Sequence, residues 1–349
     1  VVCTFLITTY YSVITGWVIN YFIKACLHQF QSLNEVSSIA LFNQLKHHSG
    51  SMVLSDTVVI VLAAMVVSMG IKNGLERLVL WLFPAMFVLL IGLAIYACTR
   101  GNFLHTFHYL FDFHPEDLNF KILLMALGQA FFSLSIGMGI NMVMGAYLPK
   151  SANLVTATIW VALADTAFAL LAGLIIFPIV FTYHLSVTAG PSLIFQSIPI
   201  AFSHMPYGTA FAILFFSLLF FAAFSSIVAL FEVTITTLTG MFNRPRKSII
   251  IYTIFVWWLV SLLTIGSFSH PAMFQVFGKT CFALIDSFTA AILIPITGIL
   301  FAVFTGWLLQ TKIINNLGWN TDGRWYKLWR TILRYVAPIA IALILFGIT

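Results

Sequence analysis

Apolar residues run through this chain in long blocks, separated by short stretches rich in charge, proline and glycine. Nine blocks lie at about 1–25, 53–70, 78–98, 120–147, 153–183, 206–241, 248–268, 278–308 and 328–348. A helix needs roughly 20 apolar residues to cross a bilayer, and only helices or closed barrels satisfy their backbone there. Blocks of this length predict an all-α polytopic membrane protein with about nine transmembrane helices, 1–349 forming one transmembrane domain. Several blocks exceed the minimum, which predicts tilt, a break or an extension beyond the bilayer.

Composition removes the main alternative. The chain is 61% hydrophobic and 7% charged, against roughly 25% charged in soluble domains, so it cannot cover a soluble surface. The net charge of +6 implies no nucleic acid, because basic residues of membrane proteins gather in cytoplasmic loops. With Val1 cytoplasmic, the inner flanks hold Lys72, Arg77, Lys150, Arg244, Arg246, Lys247, Lys312, Arg324, Lys327, Arg330 and Arg334, leaving five outside. This bias predicts an outer C-terminus. The nine histidines all fall on outer loops or helix ends, as interfacial polar groups or as a face that gains charge in acid. The pair His105 and His108 lacks the further ligands that zinc requires. Cys3, Cys26, Cys98 and Cys281 are far apart, with no metal spacing and no support for a disulfide. The first block is already apolar at Val1 and has no basic leader, which predicts that the chain begins inside a longer protein.

Polar residues inside the blocks carry the candidate chemistry. Asp165, Glu232 and Asp286 lie deep. An acid in hydrocarbon costs several kcal/mol, so such residues face a cavity, a partner or a neighbouring helix as a protonated carboxyl. In "FFAAFSSIVALFE", Ala222, Ser225 and Ser226 share one helical face. Their hydroxyls either bond back to the backbone or offer oxygens to a hard cation. In "GQAFFSLSIGMGINMVMGAYLPK", Gln129, Ser133, Ser135, Gly137 and Gly139 crowd within three turns. Such glycines serve a small-residue packing face or break the helix to line a site, as transporters do. The polar cluster favours the break.

In order along the chain, "YYSVITGW", "GIKNGLERLVLWLFPAMF", "GQAFFSLSIGMG", "AGPSLIFQSIPIAF" and "FFAAFSSIVALFE" resemble the bacterial neurotransmitter:sodium symporter family. The match runs from its third helix to nearly the end of the chain. The resemblance implies a LeuT-type inverted-repeat fold with binding at the repeat interface, in a bacterial cytoplasmic membrane. Residues 1–98 would be helices 3–5 of the first repeat, 120–308 helices 6–10 of the second, and 328–348 an additional helix. The family's first two helices would be missing.

By position, the resemblance implies that Ile7, Tyr11, Phe132, Ser133, Ser135, Met138, Ser226 and Leu230 bind the substrate, with Tyr11 meeting its carboxylate. Sodium would be bound by Ser133 and Asp165 at one site and by Ala222, Ser225 and Ser226 at another, while Asp286 would serve as an outer gate. Ala169 stands where animal members have a chloride-site serine, and Gly240 where some members have an inner-gate aspartate. The expected activity is sodium-coupled symport of an amino acid, independent of chloride, with no covalent chemistry. Met138 would suit bulky apolar side chains. Rivals are a proton-driven permease of the same fold using Asp165 or Glu232, a channel or sensor, and an inactive truncated fragment. Whether the protein forms a homodimer stays open.

Overall fold

The structure is a computed structural model that describes residues 1–149, 152–185, 190–310 and 323–347. Lys150 and Lys312, both counted on the inner side, lie outside the described residues. The helices in chain order are α1 (Val2–Cys26), α2 (Glu35–His47), α3 (Ser49–Ser68), α4 (Arg77–Arg100), α5 (Phe103–Phe111), α6 (Phe120–Ser133), α7 (Ile140–Ala146) and α8 (Leu154–Thr182). There follow α9 (Ile198–His204), α10 (Gly208–Phe242), α11 (Arg246–Ser269), α12 (Cys281–Ser287), α13 (Ile294–Val303), α14 (Arg324–Thr331) and α15 (Ala337–Gly347). Wider π-helical turns extend several of them, including Phe288–Leu293 between α12 and α13.

Among the described residues, 8 helical stretches are long and apolar enough to cross a membrane. They correspond to eight of the nine predicted blocks. The ninth, 120–147, is divided into the short helices α6 and α7. Local chemistry sets several starts. Asn119 caps α6 by accepting from the Ile122 N–H at 2.9 Å, and Asn34 forms a reciprocal capping box with Ser37 at α2.

The chain divides into two compact units. Unit one comprises Val1–Ile7, His114–Thr166 and Leu284–Thr349. Here α13 packs on α15, which in turn packs on α6, and α13 meets α6 where a side chain is missing. A Cβ on Gly298 would stand 2.2 Å from the Phe131 ring, so only glycine lets the two helices approach this closely.

Unit two comprises Thr8–Phe113 and Ala167–Ala283. Its core is aromatic: Trp17, Tyr21, Phe195 and Phe216 are all buried. The Tyr21 hydroxyl donates to the Phe195 carbonyl at 2.8 Å, and the Ser38 hydroxyl to that of Gln196 at 2.7 Å. These bonds hold the segment after α8 as a π turn at Leu193–Ser197 followed by α9. The four cysteines are free.

Candidate functional site

In unit one, α6 stops at Ser133 and α7 starts at Ile140. Three residues in the gap take left-handed backbone angles: Ser135 at φ +54°, Gly137 at +88° and Gly139 at +78°. Glycine adopts that conformation freely, whereas a residue with a Cβ is strained by roughly 1–2 kcal/mol. A Cβ on Gly137 would also meet the Ile294 carbonyl at 2.5 Å. The packing and breaking roles weighed from the sequence thus coincide at this glycine.

The break frees backbone groups that need partners. Asn141, a residue the sequence reading passed over, donates its Nδ2–H to the Leu134 carbonyl at 2.8 Å. The Ile136 N–H donates to the Phe131 carbonyl at 3.0 Å. At the edge of the gap, Ser133 Oγ donates to Asp165 Oδ2 of α8 at 2.8 Å. A hydroxyl and a carboxylate, 32 positions apart in the chain, therefore meet where a helix ends. Phe132, with Gln129 and Phe131, lines a cavity of about 310 Å³ closed by Ile294 and Ile344. Met138 is buried in the gap. Asp286 sits in α12, partly exposed, and its backbone carbonyl accepts from Thr289 at 3.0 Å. Ile7 belongs to the short N-terminal piece of this unit.

Unit two holds the other predicted residues. Ser225 Oγ and Ser226 Oγ both donate to the Ala222 carbonyl, at 2.9 and 3.2 Å. This is the back-bonding expected of serines in apolar helices, and it also gathers three oxygens at one point of α10. The Tyr11 side chain on α1 interacts with that of Ser226, and Leu230 is buried one turn further along α10.

Two acids depart from the sequence reading. Glu232 is fully buried and has a charged partner that the sequence reading did not give it. Arg246, the first residue of α11, grips it with Nη2 at 2.5 Å from Oε2 and Nη1 at 3.1 Å from Oε1. Thr236 donates to Oε1 at 2.6 Å, and Arg246 Nη2 also reaches the Val67 carbonyl that ends α3. The second is Asp56, which the count of deep acids omitted because it falls near the start of its block. It is fully buried in α3. Among the histidines, His108 Nδ1 lies 3.0 Å from Asp112 Oδ2, while the His105 ring packs edge-on against Phe181.

A polytopic helical protein in which the hydroxyl at the end of a broken span meets an acid of the next span has the architecture of an ion-coupled transporter. Comparison with known proteins agrees. The model of the Sodium:neurotransmitter symporter family matches residues 32–349, and the chain belongs to that family of sodium-coupled membrane transporters; it is not an enzyme. A sodium-dependent transporter of Haemophilus influenzae is 31% identical over 352 residues, which span 97% of this chain and 75% of that protein. The transporter YhdH of Bacillus subtilis is 29% identical, over 99% of this chain and 77% of its own length. The crystal structure of MhsT in complex with L-phenylalanine superposes with a TM-score of 0.89 at 32% identity, covering all of this chain and 79% of that one. The fold is the LeuT type.

Proposed function

We propose that this protein couples sodium entry to the uptake of an amino acid, without a need for chloride. The observation that carries the reading is the bond from Ser133 to Asp165. It puts a carboxyl and a hydroxyl beside the break in the helix, oxygens of the kind a hard monovalent cation takes. Unit one would contribute this first sodium position, with Ile7, Phe132, Ser133, Ser135 and Met138 toward the substrate and Asp286 as a gate. Ala222, Ser225 and Ser226 would hold a second sodium, and Tyr11, Ser226 and Leu230 would meet the substrate, the Tyr11 hydroxyl turning from Ser226 to its carboxylate. Residues 1–98 and 120–308 would belong to the two inverted repeats whose rocking gives alternating access.

Asp165 supplies charge in place of an anion, and Ala169 offers chloride no ligand; both favour chloride independence. Met138 and Phe132 favour a bulky apolar side chain, in keeping with a related transporter solved with L-phenylalanine. Glu232, one of the two carriers the proton-driven alternative would use, is held by Arg246, which favours the sodium reading.

The test is uptake by proteoliposomes of a panel of amino acids, phenylalanine included, with sodium exchanged for choline and chloride for gluconate. Saturable uptake that requires sodium and ignores chloride is expected. Uptake indifferent to sodium and fastest in acid would replace this reading with the proton-driven one. Stimulation by chloride would overturn the anion argument alone.

A further inference from the structure

Asp56 lies within unit two and has been given no transport role above. The carboxyl is fully buried in α3. Ser261 of α11 donates to Oδ2 at 2.6 Å. Ser12 of α1 stands close enough to influence the carboxyl, yet neither Ser12 Oγ nor Asp56 Oδ1 completes a hydrogen bond. The approach is tight, because a Cβ on Gly16, one turn along α1, would meet Ser55 Oγ at 2.7 Å and the Asp56 N–H nitrogen at 3.2 Å. Three helices thus converge on one acid, and one of its carboxyl oxygens and the hydroxyl of Ser12 are both without a hydrogen bond.

An ionised carboxylate accepts hydrogen bonds and cannot donate them, and buried without a cation it carries a penalty of several kcal/mol. The ion pairs among the described residues are His108–Asp112 and Arg246–Glu232. Titratable groups on the packed elements are Cys3, Tyr10, Tyr11, Tyr21, Lys24 and Cys26 on α1, and Glu35, Lys46 and His47 on α2. Glu232 lies on α10, Arg246, Lys247 and Tyr252 on α11, and Lys72 and Glu76 in the turn after α3. None of them is a hydrogen-bond partner of Oδ1. A hard cation takes about six oxygens, whereas the side chains converging here offer one carboxyl and two hydroxyls, and the carbonyls of the three helices are committed to their own ladders.

A proton on the carboxyl removes the buried charge, which neither of the two ion pairs among the described residues offsets. We infer that Asp56 is a proton-binding site: the carboxyl holds a proton on Oδ1 and donates it to Ser12 Oγ, while Oδ2 accepts from Ser261. The neutral acid then joins α1, α3 and α11, whatever the protein transports. Ionisation would leave a buried anion at that junction.

Infrared spectroscopy of the purified protein in lipid nanodiscs at neutral pH tests this. The carbonyl band of a protonated carboxyl is expected in the wild type, shifted in D2O, lost in Asp56→Asn and displaced in Ser12→Ala and in Ser261→Ala. The serine variants keep the test decisive if Asp56→Asn fails to fold. A band untouched by all three substitutions would overturn the inference. So would a carboxylate signal at Asp56 that changes when sodium replaces potassium, since a metal cation would then hold the place of the proton.

Discussion

Ser133 and Asp165 form the smallest assembly to which a transport role can be tied. Asp165→Asn keeps the shape and removes the charge, and Ser133→Ala removes one oxygen. A hydrogen bond to a charged group contributes about 1.5–3 kcal/mol, so each variant should raise the sodium concentration for half-maximal uptake by about tenfold or more. Reconstituted uptake against sodium concentration reads this directly, and an unchanged half-saturation point would remove the pair from the sodium site. Asp165 could be singled out from sequence because an acid among apolar residues needs a partner or a cavity, and Ser133 is its partner. Asn141 could not. Amides are common near helix starts, and only the distance to the Leu134 carbonyl shows that it closes the break. Asp56 was missed for a related reason: hydropathy gives depth along a helix poorly near its end, and burial there is decided by α1 and α11, far away in the chain.

At the scale of elements, the break between α6 and α7 rests on backbone geometry. Gly137→Ala would combine a left-handed φ of +88° with a Cβ 2.5 Å from the Ile294 carbonyl. A loss of at least about 1–2 kcal/mol is expected from the first term alone, seen as a lower melting temperature and poorer yield in detergent. The contact of α3, α10 and α11 rests on charge. Removing one member of a buried ion pair costs about 3–5 kcal/mol, chiefly through the ion left behind. Arg246→Ala should therefore be much less stable than wild type, and Glu232→Gln in the same chain should restore part of the loss. A double variant no better than Arg246→Ala would show that the arginine acts through the Val67 carbonyl instead. The positions of the spans, and the existence of a break, could be read from blocks and glycines. The partner of Glu232 could not, since Arg246 had been counted as a loop charge that orients the chain.

For the whole molecule, ligand linkage offers a measure independent of uptake. A ligand at a hundred times its dissociation constant stabilises the state that binds it by about 2.7 kcal/mol. Thermal unfolding of the purified protein should move to higher temperature when sodium replaces potassium at equal ionic strength, and Asp165→Asn should reduce that shift. No shift in the wild type would argue that this chain, as it stands, does not hold sodium. The family could be recognised from the order of five short stretches along the chain, because that order reflects the whole topology. The division into two compact units could not be read, since it gathers stretches from both ends and the middle of the chain.

The grip of Arg246 on Glu232 also bears on how the chain enters the membrane. The acid leaves the ribosome 14 residues before its cation, so α10 carries an uncompensated charge until the start of α11 has been made. The expectation is that α10 waits at the insertion machinery and moves into lipid together with α11, as a hairpin. Nascent chains arrested just before and just after Arg246 emerges would reveal this, by the depth at which a reporter cysteine in α10 becomes shielded from a water-soluble label. Equal shielding in both would mean that α10 inserts alone, and that its partner arrives only to complete a charge already in place.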